Sequence, residues 1–140
     1  MNIATFIATL AANSELVAPP YEHALERAIH VVESSGQLTG DRPILGDWCP
    51  HRGVYLSRGP LQISEAAWID ASMPGKYEDV DDLQYSLRVF RRYMARYATE
   101  RRLGRKPTLE DQARIWNGGP NGYKRAATNG YWSKVKEALK

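Results

Sequence analysis

The chain has 140 residues, 43% of them apolar and 25% charged, with a formal charge of +3 and a pI near 9.1. That balance suits one soluble domain with one core and argues against a disordered or repeat chain. A single cysteine, Cys49, excludes an intrachain disulfide framework, and no apolar run reaches the length of a membrane span. The mild positive charge favours anionic partners without choosing among nucleic acid, a membrane surface and an acidic cell-wall polymer.

The first apolar stretch, Asn2 to Ala12, lacks a basic leader and is broken by Asn13, Ser14 and Glu15, so it reads as a first helix rather than a signal peptide. Pro19-Pro20 then opens a second helix. Along it Tyr21, Ala24, Leu25, Ala28, Ile29 and Val32 recur at three- and four-residue spacing, and Ser34-Ser35-Gly36 stops it. From Gly36 to Gly59 the chain is rich in Gly and Pro. Val54-Tyr55-Leu56 and Leu61-Gln62-Ile63, on either side of Gly59-Pro60, predict short strands in a loop or hairpin lobe.

Ser64 caps a short helix through Trp68 and Ile69, ended by Met73-Pro74-Gly75. The longest helix is expected from Asp81 to Arg101, with Leu83, Leu87, Phe90, Met94 and Tyr97 on one stripe. Thr108 and Asp111 form a capping-box pattern for a helix through Ala113, Ile115 and Trp116, which stops at Asn117-Gly118-Gly119-Pro120. A final helix runs from Tyr131 to Leu139, starting near Thr128 or Asn129, with Trp132, Val135 and Leu139 on its buried side.

Glu33 carries the chemistry in this pattern. It ends an apolar helix, where the macrodipole is negative and the last carbonyls lack partners, so its ionised form is disfavoured, and partial burial disfavours it further. A carboxyl that stays protonated at neutral pH can donate its proton to a leaving group, as glycoside hydrolysis requires. The alternative is a solvated glutamate at a helix end.

Three segments follow one another in order: Glu33-Ser34-Ser35-Gly36, Ser57-Arg58-Gly59-Pro60-Leu61-Gln62-Ile63 and Trp116-Asn117-Gly118-Gly119-Pro120-Asn121-Gly122. With Tyr131-Trp132 and Val135 behind them, they resemble the lysozyme superfamily, most closely the invertebrate-type (destabilase) lysozymes. The resemblance runs from about Ala24 to Leu139, and Ala113 to Gly122 is its most specific piece. The three-part layout is also similar to goose-type lysozymes and soluble lytic transglycosylases. It implies a mainly α, α+β lysozyme-like fold over 1–140, with 1–18 as an N-terminal helix and linker and 19–140 as the catalytic core.

The resemblance makes Glu33 the general acid on the bond between N-acetylmuramic acid and N-acetylglucosamine. Ser57 would orient that acid or a water, or else satisfy turn backbone. Gln62 would hydrogen-bond the sugar or the acid, or stand as an ordinary strand glutamine. Asn117, with Gly118 beside it, would meet an N-acetyl group, the alternative being a helix C-cap. Trp116, Tyr131 and Trp132 offer flat faces to a sugar, the alternative being core packing. Two departures stand out. Related sequences commonly carry His where this chain has Trp116, and the family's second acid position, seven residues before Gly59, is Arg52. Asp47 is the nearest acid able to replace it, ahead of Asp41. With one essential acid, as in the goose-type and transglycosylase relatives, the alternatives are inversion through a positioned water or an internal attack by the muramyl side chain that gives an anhydro product.

Two rival readings use other residues. Glu26, His30 and Glu33 fall on one helical face and suggest a metal site, but Cys49 and His51 add no recognised ligand pattern. His23 and His30 read instead as surface or half-buried residues. Arg88, Arg91, Arg92, Arg96, Arg101, Arg102, Arg105 and Lys106 form a basic stretch that would suit nucleic acid, yet peptidoglycan attracts the same charge. The expectation is therefore a monomeric muramidase acting on the bacterial glycan strand, needing no cofactor, no metal and no specific nucleic acid. It would be a phage or bacterial lytic enzyme held in the cytoplasm until release, or secreted by a route the sequence does not reveal.

Overall fold

The structure, a computed structural model, describes residues 20–140. The helix expected between Asn2 and Ala12 lies outside them. Among the described residues, helix α1 spans Ala24–Ser34, followed by a two-stranded antiparallel hairpin of β1 (Trp48–Cys49) and β2 (Val54–Tyr55). Helix α2 is Glu65–Ala71, and a 3-10 turn over Tyr77–Asp81 leads into α3, Leu83–Tyr97. The short α4 (Glu100–Leu103), α5 (Leu109–Gly118), two 3-10 turns and α6 (Asn129–Ala138) complete the chain. The architecture is mainly helical with one small hairpin lobe, as the sequence pattern predicts.

Helix α1 starts at Ala24 rather than at Pro20. The residues before it are held as a lead-in: the Glu22 N–H donates to Glu26 Oε1 at 2.6 Å, and Arg91 donates to the Pro20 carbonyl at 3.1 Å. Leu25, Ala28 and Ile29 are buried on the inward stripe of α1. They meet Leu87, Val89 and Phe90 of α3, Ala113 and Ile115 of α5 and Val135 of α6 in one core, which also takes in Leu61, Ile63 and Val80 from the connecting segments. Apolar burial of this kind is the main term stabilising so small a domain.

The long expected helix is divided. It begins at N-cap Asp82, whose carboxylate accepts the Tyr85 N–H at 2.8 Å, and it ends at Tyr97. Ala98 leaves the helical region, and Thr99 caps a new turn by accepting the Arg102 N–H at 3.2 Å, so Arg101 and Arg102 belong to α4. A competing N-cap within a helical pattern breaks it in this way. The Thr108–Asp111 capping box is present in full. Arg105 pairs with Asp111, and together with the Thr108 N–H it holds that carboxyl at a pKa of about 2.

The lobe departs most from expectation. Val54-Tyr55 pairs with Trp48-Cys49, and Leu61-Gln62 is a turn rather than a strand, with only Ile63 bridged to Arg58. Gln62 has φ +50°, in the left-handed region that side chains with a Cβ rarely enter. Its own amide offsets that strain, donating to the carbonyls of Gly59 at 2.9 Å and Ile44 at 3.2 Å. No helix among the described residues is long and apolar enough to cross a membrane.

Candidate active site

The C-terminus of α1, the lobe, α2 and the C-terminus of α5 surround a cleft of about 340 Å³. Glu33 forms one side with Trp116 and Asn117, while Gly46, Asp47, Ser57 and Gln62 come from the lobe and Ser64 and Ala67 from the start of α2. Glu33 reaches this place because Ser35 terminates α1 in a left-handed conformation, φ +58°, returning its N–H to the Val31 carbonyl at 2.8 Å. Ser34, the next side chain, turns inward and donates to the Pro60 carbonyl at 2.7 Å. That bond ties the acid's helix end to the lobe turn.

Burial is the dominant influence on the Glu33 carboxyl and raises its pKa from 4.5 to about 7, against the opposing pull of hydrogen bonds from Tyr131 and Trp116 and the charge of Lys134. The Tyr131 hydroxyl donates to Glu33 Oε2 at 3.4 Å. Glu33 in turn pushes the Tyr131 hydroxyl further from ionisation, an effect secondary to burial. The acid is therefore partly protonated at neutral pH, and the cause is burial rather than its place at a helix end. Lys134 was absent from the sequence reading. Its signal was its place three residues after Tyr131 on the same helix, which puts both on one face.

The other predicted residues are placed more variously. Asp47 is exposed and lies in the cleft with Glu33, on the arm of the hairpin where its carbonyl accepts the Leu56 N–H at 2.8 Å. Arg52 sits in the turn at the hairpin tip and lines a different groove, and Asp41 is exposed in a bend outside the cleft lining. Asn117 is exposed in the cleft, and its reading as a helix C-cap is excluded because Gly119 holds that position.

Several expected roles change. Ser57 donates its hydroxyl to Gln62 Oε1 at 3.0 Å rather than to the acid, so the pair braces the lobe turn. With its amide N–H groups on Gly59 and Ile44, Gln62 is chiefly a turn clasp. Gly46 is required beside it: a Cβ there would lie 2.9 Å from Gln62 Oε1 and collide with Ser57 Oγ. Trp116 lies edge-on to Phe90 and Tyr93, with ring centroids 5.1 and 5.5 Å away, so it is a packed wall of the cleft beside Glu33 more than an open platform. Tyr131 stands behind the acid instead of facing a sugar. Gly118 lies against the Thr128 side chain, a packing role.

The rival constellations are used structurally. His30 is fully buried, not half-buried, hydrogen-bonded to Tyr21 at 2.7 Å and to the Gln37 carbonyl at 2.6 Å. Glu26 is buried in an ion pair with Arg91, N to O 2.7 Å. Neither faces the cleft beside Glu33. Much of the basic stretch is likewise engaged within the fold. Arg92 and Arg96 donate to carbonyls at the end of α2, Arg102 to those of Tyr97 and Pro120, and Arg105 to Asp111.

A half-buried acid at the end of a core helix, facing a hairpin lobe across a groove, is the layout of the lysozyme superfamily. No protein-family model matches the chain. It is 40% identical over 100 residues to Lysozyme 1 of Crassostrea virginica, covering 70% of this chain and 52% of that protein. It is 38% identical over 84 residues to the invertebrate-type lysozyme of Ruditapes philippinarum, 59% of this chain and 60% of that one. The crystal structure of Tapes japonica lysozyme matches with a TM-score of 0.64 at 31% identity, covering 81% of this chain and 87% of that one. The chain belongs to the invertebrate-type lysozymes. It spans about half to three-fifths of the length of these two curated relatives.

Proposed function

We propose that the chain is a muramidase that cleaves the β-1,4 bond between N-acetylmuramic acid and N-acetylglucosamine in peptidoglycan. The observation that carries this is the Glu33 carboxyl, raised to a pKa of about 7 by burial on the wall of an open cleft. Protonated, it delivers a proton to the glycosidic oxygen as the C–O bond breaks, so that N-acetylglucosamine leaves with its 4-hydroxyl, and positive charge develops at the anomeric carbon of the N-acetylmuramic ring as an oxocarbenium-like species. Asn117, exposed beside it with glycines following, is placed to meet an N-acetyl group. Asp47, in the same cleft, is the base that takes a proton from a water attacking the opposite face.

A second reading has its own observation. Arg52, at the family's acid position, lies at the hairpin tip and lines another groove. With Glu33 alone, the muramyl 6-hydroxyl would attack in place of water and give an anhydromuramic end, as in a lytic transglycosylase.

Digestion of purified peptidoglycan followed by mass analysis tests both. Reducing muramic ends support hydrolysis, and anhydro ends support transglycosylation. Asp47→Asn slows hydrolysis if that acid acts as base, and an unchanged rate removes it from the mechanism. Equal activity of Glu33→Gln and wild type would remove the general acid and with it the proposal. The relatives named above are bivalve proteins. They lend no support to a phage enzyme held in the cytoplasm and agree better with the secreted alternative.

A further inference from the structure

We infer that the outer face of the hairpin is a second saccharide-binding subsite that takes an N-acetylhexosamine ring of the glycan strand beyond the cleft. Nine large apolar residues are exposed among the described residues, and five of them, Leu45, Trp48, Val54, Tyr55 and Leu56, lie on this hairpin or its arms. Trp48 is 52% exposed and Tyr55 47%. The two rings meet edge to face across the strands with centroids 4.9 Å apart. That contact holds an otherwise thin two-stranded ribbon and still leaves ring surface in water. A solitary exposed apolar side chain needs no explanation, whereas a contiguous aromatic patch does.

The patch borders a groove of about 340 Å³ between the hairpin and the start of α2. Ser57 and Ser64 line both this groove and the catalytic cleft. The two cavities thus adjoin at these residues, and a polymer extended out of the cleft across them would reach the hairpin. Charge selects the occupant. Arg52 and Arg58 line the groove together with Glu65 and Glu78, and Arg58 is held in an ion pair with Asp81 at 2.7 Å, so the rim offers no excess of positive charge to an anionic ligand. A polar rim without excess positive charge around an aromatic face suits a neutral sugar, whose C–H face covers the ring while its hydroxyl and acetamido groups meet planar charged side chains. A protein partner would need about 800 Å² of its own surface covered, more than one ribbon and a narrow groove supply.

The identity of the strand rests on the glycosidase reading above, and the test separates the two. The N-acetylglucosamine hexamer is titrated into the Glu33→Gln protein while the Trp48 indole N–H resonance is followed. Hexamer and dimer affinities are then measured by calorimetry for this parent and with Trp48→Ala and with Tyr55→Ala added, each checked for native circular dichroism, the dimer being too short to span cleft and hairpin together. The Trp48 resonance is expected to shift saturably with hexamer. Each added variant should weaken hexamer binding about tenfold, the scale set by half a ring's apolar area, and leave dimer binding unchanged. Ile69→Ala, exposed elsewhere, should bind like the parent.

A Trp48 resonance that stays fixed as the cleft fills overturns the proposal, as does equal weakening for dimer and hexamer, no saturable hexamer binding, or a shift that follows protein concentration alone. Hexamer bound at Trp48 by a protein whose wild type leaves peptidoglycan intact would sink the glycosidase reading and leave this site standing. Cleavage with an unresponsive Trp48 would do the reverse.

Discussion

The two walls of the cleft are built on opposite terms. On the helical side Glu33 stands on α1, whose inward residues Ala28 and Ile29 are fully buried, and it is backed by Trp116 and Tyr131 from two further helices. On the lobe side Asp47 in the cleft, and Trp48 and Tyr55 on the groove beyond it, are all exposed, and order comes from a short hydrogen-bonded ladder and the Ser57–Gln62 clasp. The difference is one of task. A proton donor needs a dry, fixed surrounding to keep its pKa raised, whereas a surface that grips a polymer must keep its faces open to the ligand.

The largest effect expected from disturbing this contrast is on the acid. Glu33→Gln should lower kcat by about a hundredfold to ten-thousandfold, the usual share of a general acid, while the thermal transition stays cooperative. Turnover on labelled peptidoglycan together with circular dichroism measures both. Next in size is the core beneath the acid. Ile29→Ala leaves a cavity under α1 and should cost about 2–5 kcal/mol in denaturant unfolding, taking the site down with the fold.

On the lobe side, Gly46→Ala drives a Cβ into Ser57 and against Gln62. It should cut activity about tenfold by opening the clasp, with a global unfolding cost within about 1–3 kcal/mol, the range for overpacking. Hydrogen exchange sharpens the comparison, because protection should fall at Arg58 and Gln62 and persist along α1. A global loss of protection would instead show the lobe and core to be one cooperative unit.

The smallest effects are in pH. The Glu33 pKa is raised, from 4.5 to about 7, so between those values the folded state holds more protons than the unfolded one. Its contribution to stability is therefore full below about pH 4.5 and declines as pH rises through about 7. Activity should fall over the same alkaline limb. Tyr131→Phe removes a hydrogen bond that favours the carboxylate, so the limb should move to higher pH. A limb that stays in place would mean the 3.4 Å contact carries no electrostatic weight.

What could be read in advance followed the same division. The stripe from Leu25 to Val32, the Thr108–Asp111 box and the acid at the end of its helix depend on residues within a turn or two of one another, and periodicity and capping report such neighbours. The lobe was legible only as a lobe. Leu61-Gln62-Ile63 has the composition of a strand, yet Gln62 takes a left-handed turn because its amide finds the distant Ile44 carbonyl. The role of Tyr131 was set by Glu33, 98 residues away, while Ser57, Gly118 and the buried His30 take partners only five to ten residues off, across turns that neither helical nor strand periodicity reports.

The sequence by itself determined that a mainly helical domain would form and that an acid would end its core helix, since both follow from local spacing and the dipole of a single helix. Only the tertiary structure decided that burial lifts the acid to a pKa of about 7, that Asp47 shares its cleft and that Arg52 does not. Desolvation and proximity belong to groups brought together from separate segments, and no short-range pattern along the chain encodes them.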